Sequence, residues 1–164
     1  QPQKALDWGI GLLDRCFDGT GEEHHKVVHI CCGYPEYLDQ EGYLKADPAA
    51  YFQLAKALDQ SCVDAVSIED AHCFNDLSLL RKFQKTCIIF GAVKVASSKV
   101  ETVDEIRDRL NEALEHLPAD RLIVAPDCGL GYLPLPILQE KLKNMCIAAK
   151  SCGCKKLKTS NSVA

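Results

Sequence analysis

A surplus of basic residues is missing from this chain: 19 Lys and Arg stand against 23 Asp and Glu, for a formal charge of -4. Without a basic footprint, nucleic acid and anionic membrane surfaces drop out as partners, and the one positive cluster is the short run from Lys155 to Lys158. Long apolar runs are missing too. No stretch approaches the roughly 18 residues of a membrane-spanning helix, and the N-terminus lacks the basic and apolar regions of a signal peptide. The expectation is a soluble, cytoplasmic protein. Cysteine is plentiful, with 10 in 164 residues, but the short, loop-rich design of a secreted disulfide scaffold is absent. Cys62, Cys87 and Cys146 fall in apolar segments, where free Cys acts as a small buried hydrophobe, so reduced thiols are expected.

What is present is a repeated alternation of helix and strand. Leu6, Ile10, Leu13 and Phe17 recur at helical steps from Gln3 to Cys16, and Gly19 to Gly21 stops that helix. Val27 to Cys31 reads as a strand, followed by a long Gly, Pro and Tyr loop from Gly33 to Asp47. Asp47-Pro48 predicts the start of a helix, and Val63 to Glu69 a second strand. A helix over Asp76 to Lys85, carrying Leu77, Leu80 and Phe83, should feed a strand from Cys87 to Val95. Thr102 and Glu105 form a capping box, and the strand Arg121 to Ala125 and a helix from Pro136 to Lys150 complete the pattern. The polar, aperiodic stretch from Ser151 to Ala164 predicts a disordered tail.

Such alternation implies an α/β fold of parallel strands joined by right-handed crossovers, with both sheet faces buried under near-continuous apolar strands. That describes a doubly wound open sheet or part of a (βα)8 barrel. A full barrel needs about 250 residues, so four βα units over residues 1–150 would make half of one.

Active sites in parallel α/β folds gather at the C-terminal ends of the strands. His29 and Cys31 would leave one face of the first strand, about 7 Å apart along it, with Cys32 turned to the opposite face. Glu69 ends the second strand and Cys128 follows the fourth. One nitrogen, two sulfurs and one oxygen suit Zn2+ better than magnesium or calcium, so His29, Cys31, Glu69 and Cys128 are candidate ligands. Asp70 and Asp127 flank them and could orient the metal site from behind.

The runs HICCGYP, VSIEDAH, SSKVETVDEIRDRL and RLIVAPDCGLGYLP, in this order, resemble the C-terminal catalytic barrel of cobalamin-independent methionine synthase. The resemblance spans roughly residues 3 to 150. It implies the C-terminal half of a TIM (β/α)8 barrel, a zinc ion on His29, Cys31, Glu69 and Cys128, and methyl transfer from 5-methyltetrahydrofolate, as its polyglutamate, to the homocysteine thiol. Related zinc motifs alkylate other thiols, as in the epoxyalkane:coenzyme M transferases, and a non-catalytic zinc-binding fragment is a further alternative.

Two departures stand out. Where that family carries an acid and a His after the third strand, this chain reads Lys94-Val95-Ala96-Ser97, which leaves His72 or Lys94 as substitutes for the proton relay. The family's barrel also begins well upstream of Gln1, so the chain is expected to need a missing N-terminal half-barrel or to self-associate. Cys152 and Cys154 imitate a metal pair only superficially.

Overall fold

The computed structural model describes residues 2–152. Its elements are α1 (Pro2–Cys16), β1 (Val27–Ile30), α2 (Ala50–Gln60), β2 (Ala65–Glu69), β3 (Cys87–Gly91), α3 (Val103–Leu114), β4 (Leu122–Ala125) and α4 (Leu135–Ser151). Short 3-10 segments at Leu77–Lys82 and Ala119–Arg121 lead into β3 and β4. Among the described residues no helix is long and apolar enough to cross a membrane. The predicted tail lies outside the described residues from 153 onward, and Ser151 still belongs to α4.

The four strands lie in sequence order and pair in parallel throughout, as right-handed βαβ units require. Register aligns His29 with Ser67, Ser67 with Ile89, and Ile89 with Ile123. Alternation then sends Val66, Ile68, Ile88, Phe90 and Leu122 to one face, where all are nearly or fully buried. They form one cluster with Tyr51, Ala55 and Leu58 of α2, Ile106 and Leu110 of α3, and Met145 and Ala148 of α4. Ile10 and Leu13 of α1 pack against the same cluster. A doubly wound sheet would need a second core on its other side, so this arrangement is the wall of a barrel.

The expected burial of both faces is therefore corrected. Val27 is 44% exposed, and Ser67, Ile89 and Ile123 are half-buried, because their face points to what would be the barrel interior. Four strands cannot close around it.

Local departures have local causes. The stretch after β2 is a 3-10 segment instead of an α-helix: Leu77, Leu80 and Phe83 step by three residues, which a 3-10 turn stacks on one edge. Asp76 caps it, accepting from the Ser78 N–H at 2.9 Å. The Asp47 carboxylate accepts from the Ala49 N–H at 2.9 Å, one turn ahead of α2. The Thr102–Glu105 capping box forms as expected.

The long connection from β1 to α2 folds over the strand ends. Asp39 holds it there: its N–H donates to the Ala96 carbonyl at 3.0 Å and its carboxylate accepts from the Ser98 N–H at 2.7 Å. The Tyr132 hydroxyl donates to the Pro35 carbonyl at 3.0 Å. A lid of backbone thus covers the C-terminal mouth of the sheet.

Candidate metal centre

Glu69, the last residue of β2, is fully buried beneath that loop. A buried carboxylate needs partners, and it has two: the Cys32 N–H donates to Oε1, and the Lys45 ammonium donates to Oε2 at 2.7 Å. The same ammonium reaches the Cys73 Sγ at 3.2 Å. Ligand atoms of Cys32, Glu69 and Cys73 lie within 4.8 Å of one another. Burial works against the Lys45 charge, yet its hydrogen bonds to Glu69 and Cys73 outweigh it and hold its pKa above the ordinary lysine range.

The expectation for Cys32 holds in part. Its side chain lies in the helix-side cluster with Tyr51, on the face opposite His29. Its N–H and sulfur nevertheless stay close to Glu69, so it does not drop out of the site.

The donors that meet within 4.8 Å among the described residues are thus Cys32, Glu69 and Cys73, and the expected ligands His29, Cys31 and Cys128 are not in that group. His29 shares the inner face with Ser67 and Glu69, and its Nδ1 lies 2.9 Å from the Ser67 hydroxyl. With Ser67 accepting that proton, Nε2 keeps its lone pair, the tautomer a metal ligand requires. Burial raises the pKa of the Cys31 thiol, and the charges of Cys128, Glu69 and Cys32 raise it further against the Gly33 N–H. The Tyr34 hydroxyl is buried without a hydrogen-bond partner among the described residues; burial, then Glu69 and Cys128, push its pKa up. One carboxylate and several cysteine sulfurs gather at these strand ends, the donor types a soft dication takes, with the Lys45 ammonium already standing on Glu69 Oε2.

Asp127 and Asp70 take up structural positions behind this layer. Asp127 is fully buried and accepts three successive backbone N–H groups, from Asp70 and Ala71 on Oδ1 at 2.9 and 3.0 Å and from His72 on Oδ2 at 2.8 Å. It shapes the turn that follows Glu69. Gly91 makes room for it, since a Cβ there would lie 2.2 Å from Asp127 Oδ1. Asp70 faces away from the mouth and forms a two-point ion pair with Arg109 of α3, at 2.7 and 2.9 Å.

His72 is committed differently from a free imidazole. Its Nε2 accepts from the Val95 and Ala96 N–H groups at 3.1 and 3.2 Å, which fixes its proton on Nδ1. Burial lowers its pKa to about 4, with Lys45 and Lys94 adding to the effect. Its ring meets Tyr34 edge-on at 5.7 Å.

Sequence reasoning missed Lys45, Cys73 and Cys32. Cys73 was within reach of a local argument, because the Phe74 and Cys73 N–H groups both return to the Asp70 carbonyl, and a turn of that kind brings residue 73 back toward residue 69. Lys45 carries no periodic signal, and only the folded loop delivers it.

Known proteins share this architecture. A solved B12-independent methionine synthase from Shewanella sp. W3-18-1, in complex with selenomethionine, superposes with a TM-score of 0.74 and 27% identity over 91% of this chain and 44% of its own. A 5-methyltetrahydropteroyltriglutamate–homocysteine methyltransferase of Blochmanniella floridana is 39% identical over 89% of this chain and 17% of its own length. The methionine synthase of Sulfolobus acidocaldarius is 27% identical over 87% of this chain and 37% of its own. The chain therefore spans less than half the length of each of these relatives. Residues 49–151 match the family described as cobalamin-independent synthase, catalytic domain, and the chain belongs to that family.

Proposed function

We propose that this chain carries the thiol-activating part of a zinc-dependent methyl transfer from 5-methyltetrahydrofolate, as its polyglutamate, to homocysteine, giving methionine. One observation carries the reading: in a chain of this family the Glu69 carboxylate is fully buried at the C-terminal end of β2, beside the end of β1 that carries His29 and Cys31. His29, Cys31, Glu69 and Cys128 would hold the ion, and Asp127 and Asp70 would orient it through the turn after Glu69. What zinc supplies when bound is a thiolate near neutral pH, where an ordinary thiol of pKa about 8.5 is mostly protonated.

The protein's own groups prepare the rest. The Asp39 clamp and Tyr132 keep the loop across the mouth and limit water there. Methyl-folate gives up its methyl only if its nitrogen gains a proton; His72 would serve as a relay position, its Nδ1–H orienting the proton-bearing group, while the neutral imidazole is not itself the acid. The open inner face and the greater length of the relatives favour a site completed by a further half-barrel or a second copy of the chain. The cytoplasm remains the expected compartment, where the nine cysteines unpaired among the described residues would stay reduced.

Metal content of the purified protein tests the reading. About one zinc per chain is expected, lost in Cys31→Ser and in Cys128→Ser and kept in Cys152→Ser. Retention in both of the first two variants would sink the site.

A further inference from the structure

Glu69 has two sides, and only one is used above. One set of donors is the expected one, His29, Cys31 and Cys128; the other is Cys32 and Cys73, which border the helix-side cluster and whose sulfurs are within 4.8 Å of the carboxylate and of each other. Zinc binds sulfur at about 2.3 Å and carboxylate oxygen at about 2.0–2.2 Å, so donors this close could share one ion with little movement. The second set looks competent, but a charge already stands in it. Lys45 Nζ is 2.7 Å from Glu69 Oε2 and 3.2 Å from Cys73 Sγ, which places the ammonium on two of the three donors.

This lysine is built into its position. Its side chain is 20% exposed, and the Tyr34 and Tyr43 rings lie 5.8 and 5.6 Å from the ammonium, on the scale of cation–π contacts. Ala46, the next residue, is anchored by its N–H to the Cys32 carbonyl at 2.8 Å, which ties the lysine to the cysteine it neighbours. An ammonium and a divalent ion cannot share this space, because the repulsion of like charges in a buried site is barely screened. Nor can Lys45 swing away cheaply, since Oε2 of a fully buried carboxylate would lose its partner.

The geometry points to Lys45 as a metal-specificity residue: its ammonium fills the Cys32–Glu69–Cys73 site and confines a soft divalent ion to the His29, Cys31 and Cys128 side of Glu69. The inference rests on the zinc reading above for where the ion goes, and on Lys45 alone for where it does not. It gives the chain's extra pair of cysteines a state without metal, held by a charge that no change in metal supply removes.

The test counts Zn2+ bound per folded chain, with Zn2+ alone as the probe, by native mass spectrometry and by competition with a chromophoric chelator. The parent chain should bind one ion, and so should Cys73→Ser and Lys45→Arg, which keeps the charge. Lys45→Met should bind two, and the double variant Lys45→Met with Cys73→Ser should return to one. A count of one in Lys45→Met overturns the proposal. Loss of the parent's ion on Cys73→Ser overturns it as well, because the ion would then sit where Lys45 is said to exclude it; this arm decides the matter if circular dichroism shows Lys45→Met unfolded. A parent that binds none, beside a Lys45→Met that binds one through Cys73, would refute the mouth site and leave the role of Lys45 standing.

Discussion

The two faces of the sheet are made by alternate residues of the same strands, yet they differ in nearly every physical respect. On the helix side Val66, Ile88 and Phe90 are fully buried in one continuous cluster. On the inner side Val27 is 44% exposed, and Ile89 and Ile123 are only half covered. The polar and titratable groups of the strands, His29, Ser67 and Glu69, all fall on the inner side. Cohesion and chemistry are thus largely divided by the pleat: the helix face is packed and meets donors only where Cys32 and Cys73 border it, while the inner face carries His29, Ser67 and Glu69 beside partly open apolar surface. A half-barrel can hold its core on the first face alone. The second becomes an interior only when something closes over it.

That division can be broken most forcefully at neighbouring positions of β3. Phe90→Ala should destabilise the protein by about 3–5 kcal/mol, the usual cost of emptying a fully buried aromatic site. Ile89→Ala, one residue away on the inner face, should cost on the order of 1 kcal/mol, because its surface is already partly wet. Urea unfolding measures both. Equal costs would mean that the inner face is packed in solution, by a second copy or by another segment, and a concentration-dependent midpoint would identify the copy.

A smaller effect separates support from ligation within the mouth. Asp127→Asn exchanges one acceptor oxygen for a donor in a carboxylate that serves three backbone N–H groups, and should cost roughly 1–3 kcal/mol. Because those bonds shape the turn after Glu69, zinc affinity should fall about 10–100-fold with it. Unchanged affinity in the folded variant, read by chelator competition, would show that the turn holds its form without this carboxylate.

The same contrast explains what could be read in advance. Strand positions, the Thr102–Glu105 cap and the placing of His29, Glu69 and Cys128 at strand ends depend on patterns a few residues long, and each is where such patterns put it. Register alone does not reach the whole candidate set: His29 and Glu69 lie on paired strands, whereas Cys31 and Cys128 lie beyond the ends of β1 and β4. What escaped prediction depends on the chain between elements. Lys45 reaches Glu69 only because Asp39 pins its loop to the residues after β3, a contact separated by more than fifty positions in sequence. Alternation sent Cys32 to the helix side, where it lies, but could not show that its sulfur stays within reach of Glu69 and Cys73 there. The open inner face escaped because an apolar run shows that a strand can be buried on both sides, not that both covers are present.

The mildest perturbation acts on the hinge between mouth and lid, through His72. Its pKa is lowered from 6.5 to about 4, first by burial and then by Lys45, Lys94 and Lys141, with Glu69 opposing. A depressed imidazole binds fewer protons folded than unfolded between those two values. Its contribution to stability is therefore complete above pH 6.5 and is lost progressively as pH falls toward 4. Protonated, Nε2 can no longer accept from Val95 and Ala96, so the loop after β3 should loosen before the helix-side core does. Histidine NMR titration should give His72 the lowest midpoint of the chain's five histidines, and hydrogen exchange at Val95 and Ala96 should quicken in step with it while that of Ile88 and Phe90 stays slow. His72→Gln keeps an acceptor without the titration and should remove the pH dependence of exchange at those two amides; if the dependence survives, the loop answers to another group and the mouth is less tightly coupled to its lid than the hydrogen bonds imply.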